Sequence, residues 1–335
     1  MDSIRAEDLI AHVEQFQGKK IAIIGDLMLD RYIWGSVVRI SPEAPVPVVE
    51  VESESDSFGG AANVANNVRA LGALAIPLGV IGRDAAGNRL LQLARESGFP
   101  TDGIVIDDGR PTTTKTRVIA HNQHVVRVDR ERKDDISPDT AEKLLQFLQG
   151  ILPDLDAIVL EDYNKGLLTP YLVREAIALA RERDLCITVD PKFHHFFDYQ
   201  HVTVFKPNRK ETEEALGMKF ADMKDIQEAA QTLKIRLQCQ NVLITLGEQG
   251  MLLLADDHQY HTIPTRARKV HDVSGAGDTV IGTLTAALAS GASILEASVL
   301  ANYAAGVVVG EVGAVPITPD KLIESIRFYA SGAKS

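Results

Sequence analysis

The sequence predicts an α/β fold, a doubly wound and mostly parallel sheet with helices on both faces, accompanied by a small β-sheet lid. Three observations predict it. Short, continuous apolar runs recur at Ile21–Ile24, Ala157–Leu160, Cys186–Val189, Val202–Phe205 and Val242–Thr245. Helical patterns alternate with them at Ala61–Leu71, Pro170–Arg181 and Ile226–Leu237. Strands buried on both faces read as unbroken apolar runs, and parallel neighbours need long crossovers. Finally, "VPVVEVESES" and "TKTRVIAHNQHVVRVDRE" alternate with a period near two, as half-exposed strands do. The second reads as a hairpin turning at His121–Gln123. We place the lid in two insertions, about 31–55 and 110–130, on one domain spanning 1–335. The tail "SGAKS" is expected to fray.

Composition narrows the function. The 335 residues carry a formal charge of -11 and no Lys/Arg-rich run, which excludes a phosphate-backbone surface for nucleic acid. A locally positive site for a small anion remains compatible with that balance. Cys186 and Cys239 form no CxxC pair, so neither a disulfide framework nor a zinc–thiolate site is expected. The N-terminus is amphipathic without an apolar signal core, and no apolar run reaches the ~18 residues of a membrane span. We expect a soluble, cytoplasmic protein with no membrane partner.

The motifs follow in chain order. "IAIIGDLMLDRYIWG" is a first strand followed by Asp26 and Asp30. Carboxylates at the carboxyl end of a parallel strand face the usual ligand crevice, and Asp30 can accept from two hydroxyls. In "SFGGAANVANNVRALGA", Gly59 and Gly60 open a helix and Asn63 offers both donor and acceptor to a sugar. The same stretch also reads as a helix packed closely through small residues. "GRDAAGNR" has Walker A glycine spacing, but Asn88 stands where the Lys must be. His194 and His195 have nothing nearby to complete a metal site. "KPNRKETE" places Asn208 and Glu211 three apart, which makes a capping box, a pair orienting Mg²⁺-bound water, or both. "TLGEQG" supplies Thr245, Gly247 and Gly250 after a strand, half of a nucleotide turn. In "HDVSGAGDTV", Gly275, Ala276 and Gly277 open a helix with Asp278 just inside. Free amides and a positive helix end there can hold a transferring phosphoryl group, with Asp278 poised as general base. The plainer reading is a Ser274 N-cap with an acid in the first turn.

Together and in this order, these pieces resemble the pfkB/ribokinase family of carbohydrate kinases, from about Ile21 to Pro319. "IGRDAAG" and "PNRKE" fall where the family has G-x-D-x-x-G and N-x-x-E, and Val273 stands where it usually has Thr. The resemblance implies ATP, Mg²⁺ and in-line transfer of the γ-phosphate to a sugar hydroxyl. It implies Asp278 as catalytic base, with Gly275, Ala276 and Gly277 as anion hole. Asp30, Gly59, Gly60 and Asn63 match the sugar contacts, and Asn208 and Glu211 the phosphate and Mg²⁺ elements. Thr245, Gly247, Gly250 and Asn302 match the nucleotide pocket. A monovalent cation near Asp272 and Gly313 is a further family feature.

Within the family the nearest likeness is to D-glycero-β-D-manno-heptose 7-phosphate kinases, on "GDLMLDRYIWGSVVRISPEAPVPVV", "TTTKTRVIAHNQHVVRVDRE", "EDYNKGLLTP" and "VDPK". Such enzymes phosphorylate the anomeric hydroxyl in the route to lipopolysaccharide. With no H-x-G-H motif, the sequence reads as the kinase-only form. Arg117 in the lid and Lys192 after Cys186–Asp190 are candidates to meet the acceptor's phosphate. An exposed lid edge leads us to expect a homodimer joined through the lids. Another sugar or sugar-phosphate kinase, and a non-catalytic sensor on the same fold, are the alternatives. An NAD-linked oxidoreductase lacks its G-x-G-x-x-G.

Overall fold

In strand β1 (Lys20–Gly25), Ile21 and Ile23 are buried in one core while Ala22 and Ile24 are buried in another. A strand with both faces apolar must be covered on both, and here helices do it. The computed structural model describes residues 4–121, 123–267, 270–311, 313 and 315–331. The centre of the turn expected at His121–Gln123 and the last four residues of the tail lie outside them.

The chain enters through α1 (Ala6–Glu14) and β1. It leaves for the lid in β2 (Leu27–Ile40) and returns in β3 (Pro47–Gly60). Then come α2 (Ala61–Ala70), β4 (Leu74–Gly82), α3 (Ala85–Glu96) and β5 (Ile104–Asp107). A second excursion makes β6 (Thr113–Ala120) and β7 (Gln123–Arg130). The remainder is α4 (Pro138–Ile151), β8 (Ala157–Glu161), α5 (Pro170–Arg181), β9 (Cys186–Asp190), β10 (Val204–Phe205), α6 (Arg209–Leu216) and α7 (Met223–Leu237). After them follow β11 (Asn241–Thr245), β12 (Met251–Leu254), β13 (Tyr260–Ile263), α8 (Ala276–Ala289), α9 (Ile294–Val308) and α10 (Pro319–Ala330). Ser137, Thr169 and Thr318 cap α4, α5 and α10, each followed by proline at the first helical position, where its missing N–H costs nothing.

The main sheet runs β13-β12-β11-β10-β9-β8-β1-β4-β5. It is parallel from β5 to β11. β12 and β13 are an antiparallel edge that the apolar runs did not announce; Gly250, at φ 86°, makes the turn into it. β10 is shorter than the Val202–Phe205 run, and Pro207, with no N–H to donate, closes it. α7 begins three residues before Ile226 because Asp222 and Asp225 form a capping box there.

The lid sheet runs β3-β2-β6-β7, with β2 antiparallel to β3 and parallel to β6. Its strands reach back to Leu27 and forward to Gly60, so the lid grows directly from the end of β1 and delivers the chain to α2. β1 is followed in the sheet by β4 on one side and, later in the chain, by β8 on the other. That switch point opens a crevice at the carboxyl ends of β1 and β8, where ligands bind in open α/β sheets.

Candidate active site

The start of α8 faces this crevice. Gly275 is its N-cap, in the left-handed region at φ 76°, and no side chain caps the helix. The Ser274 cap is therefore not formed; the Ser274 amide instead donates to Asp272 Oδ1 at 2.9 Å. The Ala276 amide is also engaged, donating to Val273 O at 3.2 Å to close the turn. Among the described residues the amides of Gly275, Gly277 and Asp278 have no acceptor. Three free N–H groups at the positive end of a long helix form an anion site. It is built from Gly275 and Gly277 with Asp278, in place of Ala276.

Asp278 is buried inside that site. Its Oδ2 accepts from Asn63 Nδ2 at 2.6 Å and its Oδ1 from the Tyr163 hydroxyl at 2.7 Å. Burial pushes its pKa up to about 6, against the pull of those two donors. Asn63 arrives because Gly60, at φ 56°, turns β3 sharply into α2; a Cβ there would lie 2.4 Å from Asp26 O. α2 then packs on α8, where Gly282 leaves room for Asn67 and Val68. Both readings of the 57–73 stretch thus hold: close packing through small residues, and a polar side chain delivered to the crevice.

The two acids after β1 separate in role. Asp26 is buried and accepts from the backbone of Tyr163, Lys165 and Leu167 at 2.8, 3.0 and 3.3 Å. Burial, then its neighbour Asp162, raises its pKa to about 6. It is the post that holds the Tyr163 loop. Asp30 faces Arg117 Nη1 at 3.1 Å, but that pair is out of hydrogen-bond alignment and leaves the buried Oδ1 an unfilled acceptor. Gly59 makes room for it, since a Cβ there would meet the Asp30 carboxylate at 2.9 Å. A cavity of about 650 Å³ lies beside Arg117 between the lid and Ser274. Arg117 lines that cavity and carries the Asp30 carboxylate behind it, whose Oδ1 has no donor among the described residues.

The carboxyl ends of the next strands add charge. Asp190 ends β9 and takes an ion pair from Lys206 Nζ at 2.7 Å. Glu161 ends β8, fully buried, with no donor for either oxygen among the described residues. Burial, then Asp190 and Asp278, raises its pKa well above the usual range, which favours the neutral acid. Lys192 pairs with Glu211. Burial alone would lower the Lys192 pKa, but Asp190 and Glu211 overcome it and hold the ammonium charged.

Asn208 and Glu211 form the capping box of α6, each side chain accepting from the other's backbone at 2.9 and 2.8 Å. Asn208 also bridges to Thr245 at the end of β11. Thr245, Gly247, Gly250 and Asn302 line one cavity of about 550 Å³ with Ala276, Gly277 and Val280. Asn302 donates to Pro264 O at 2.8 Å, which fixes one wall. A mostly apolar chamber that opens on the free amides of α8 fits a nucleotide base and ribose with its phosphates at the helix end. The "GRDAAG" stretch is structural: Asp84 caps α3 and holds Thr112 through its hydroxyl at 2.7 Å and its amide at 3.0 Å. No cluster of three metal-ligating side chains is found among the described residues, at His194–His195 or elsewhere.

The comparisons decide the family. The pfkB family carbohydrate kinase profile matches residues 18–321. The chain belongs to the pfkB family. It is an ATP-dependent carbohydrate kinase. It is 43% identical over 328 residues to a Geobacter sulfurreducens protein named Bifunctional protein HldE, covering 98% of this chain and 66% of that one. A Helicobacter hepaticus protein of the same name is 44% identical over 312 residues, 93% and 64% of the two chains. The kinase thus spans just under two thirds of these relatives' length. Escherichia coli phosphofructokinase-2 in complex with potassium superposes with a TM-score of 0.76 at 19% identity, over 94% of this chain and all of that one. Arabidopsis thaliana ribokinase with ribose and ATP gives 0.72 at 19%, over 93% and 100%. At such identities these two speak for the ribokinase-like fold. No helix among the described residues is long and apolar enough to cross a membrane.

Sequence reasoning did not single out Tyr163, Glu161, Asp190, Lys206 or Lys115. "EDYNKG" did carry a signal: an acid and a tyrosine directly after an apolar strand, at the end where ligands bind. Lys206 and Asp190 were hidden because a buried ion pair reads in sequence as two ordinary surface charges.

Proposed function

We propose that the kinase transfers the γ-phosphate of ATP to the anomeric C1 hydroxyl of D-glycero-β-D-manno-heptose 7-phosphate, giving the 1,7-bisphosphate for ADP-heptose and lipopolysaccharide core synthesis in the cytoplasm. One observation carries the chemistry: Asp278, buried and pinned by Asn63 and Tyr163, sits on three free amides at the start of α8. Asp278 takes the proton of the attacking hydroxyl as the new oxygen–phosphorus bond forms. The bond from the γ-phosphorus to its bridging oxygen breaks, and ADP leaves. The amides of Gly275, Gly277 and Asp278 meet the charge that develops on the phosphoryl oxygens. On this reading Asp30, Asn63, Gly59 and Gly60 shape the sugar side, and Thr245, Gly247, Gly250 and Asn302 the nucleotide side.

Mg²⁺ would neutralise the ATP phosphates. A nucleotide-borne Mg²⁺ needs only one or two carboxylates and keeps its waters. Glu211 and Asp190, flanking Lys192, meet that need without a closed metal cage. Lys192 then belongs to the phosphoryl side. A monovalent cation near Asp272 and Gly313, where the Asp272 carboxylate accepts the Gly313 amide at 3.2 Å, is the remaining ionic partner of this reading.

The choice of heptose phosphate rests on the four stretches that resemble heptose 7-phosphate kinases. The test is ADP formation with heptose 7-phosphate, unphosphorylated heptose and fructose 6-phosphate, with the new phosphate located by ³¹P NMR. Turnover of the heptose phosphate at C1 is expected to dominate. Phosphate on another carbon, or preference for another sugar, would leave only the family-level activity.

A further inference from the structure

The cations near the crevice are almost all matched to carboxylates. Arg117 faces Asp30, Lys206 faces Asp190 and Lys165 faces Glu131, at 3.1, 2.7 and 2.7 Å, while Lys192 is bound to Glu211. Lys115 is different. Among the described residues it has neither an ion-pair partner nor a hydrogen-bond acceptor. Yet it is half-buried on β6, in register with Asp30 on β2, with Nζ 5.0 Å from the centre of the Tyr163 ring. The hydroxyl of that ring is the one bonded to Asp278.

A partly desolvated ammonium with no contacting anion gains from meeting one, and burial does lower the Lys115 pKa. The charges that act on it most strongly are Asp30, Lys165, Arg117 and Asp129, all on the lid or the Tyr163 loop. Beside Asp30 on the lid, Lys115 lies where this reading puts the acceptor sugar, while Lys192, 5.3 Å from the same ring, is engaged by Glu211. We propose that Lys115 binds the phosphate that the acceptor sugar already carries. This rests on the reading of the acceptor as a sugar phosphate. A bound phosphomonoester supplies the contacting anion that the protein does not, and an unphosphorylated sugar leaves the ammonium without one. A site built around such a group discriminates strongly against the analogue lacking it.

The experiment measures kcat/KM for heptose 7-phosphate and for unphosphorylated heptose in the full chain and in Lys115→Met, Lys115→Gln and Lys115→Arg. In the parent the phosphorylated sugar is preferred at least about tenfold, as a charge-assisted contact requires. That preference shrinks at least about tenfold in Lys115→Met and Lys115→Gln and survives to within roughly threefold in Lys115→Arg. Calorimetric binding of heptose 7-phosphate without ATP weakens in parallel. A parent preference that persists undiminished in both neutral variants overturns the role of Lys115 and leaves the substrate intact. A parent with no preference for the phosphorylated sugar overturns the substrate reading itself, and the role of Lys115 falls with it.

Discussion

The Tyr163 hydroxyl donates to Asp278 Oδ1 at 2.7 Å, while Asn63 holds Oδ2 at 2.6 Å. The base is thus fixed from two elements that are distant in sequence, the loop after β8 and the start of α2. Asp26 secures the loop through three of its backbone amides. Tyr163 is a positioning residue on this geometry. Removing its hydroxyl takes away a donor that favours the carboxylate, so the Asp278 pKa must rise above its value of about 6. Tyr163→Phe should lower kcat by roughly 10- to 150-fold, the worth of a hydrogen bond to a charged group. The acid limb of the kcat profile should move to higher pH. An unmoved acid limb with only a lower Tm would reduce Tyr163 to a packing role.

Asp278→Asn separates activity from stability. Loss of the base alone is worth ~10²–10⁴ in kcat. For stability the sign follows from the raised pKa, 3.8 to about 6. Between those values the native state holds a proton that the unfolded chain has released, so the stability contributed by this group falls as pH rises through that window. Above it the folded protein carries a buried charge at a cost of order 1–3 kcal/mol. The Asn variant should therefore melt higher than the parent at pH 7, and the gap should close towards pH 4. A variant that melts lower at pH 7 would show that the carboxylate's hydrogen bonds outweigh its burial.

Much of this site was legible before the fold, for physical reasons. Glycines at helix starts and acids after apolar strands are local signals, so Asp278, Asn63, Asp30 and the Asn208–Glu211 box could be read from spacing. The partners that tune them come from elsewhere. Tyr163 reaches Asp278 across 115 positions, and Asn63 does so across 215. Which cation is left unpaired depends on every other pair in the crevice, so nothing in "TTTKTRV" sets Lys115 apart from Arg117. The fold class was legible because buried parallel strands carry unbroken apolar runs. The β12–β13 edge was not, since its turn is made by a single glycine.

Glu211→Gln tests the two duties of that side chain. A glutamine oxygen can still accept from the Asn208 amide, so the capping box survives and Tm should fall by little. The ion pair with Lys192 and the charge offered to Mg²⁺ are lost. Activity should fall most at low Mg²⁺ and recover in part when Mg²⁺ is raised, with the KM for sugar nearly unchanged. A loss that no Mg²⁺ concentration relieves, together with a lower Tm, would assign Glu211 to the cap alone.

Gly60→Ala probes the hinge between lid and core. At φ 56° an L side chain is strained, and its Cβ would sit 2.4 Å from Asp26 O. Relief must shift the start of α2 and with it Asn63. The variant should lose kcat as well as roughly 1–3 kcal/mol of stability by denaturant titration. Parent-like kcat at reduced stability would mean that Asn63 keeps its place without the turn.

The outer lid surface is the last element to account for. Val126 and Val128 on the edge strand β7 are 49% and 55% exposed, and Val38, Ile40 and Val51 on β2 and β3 are more than half exposed. Val126 and Val128, two apart on one strand, point to the same face. An exposed apolar strand at a sheet edge invites pairing with another strand, and patches of this kind mark contact surfaces. A second copy of the lid offers the same apolar strands, which is why we propose a homodimer closed lid to lid. One aspartate in place of each valine would bury a charge in that interface and leave the core untouched. Val126→Asp with Val128→Asp should therefore shift the sedimentation equilibrium towards the 36.4 kDa monomer, with the far-ultraviolet spectrum unchanged. If the lid contributes only its own strands to the sugar cavity, the monomer should keep its kcat and lose affinity for sugar through a looser lid. A doubly substituted protein that still sediments as a dimer would place the interface on another face.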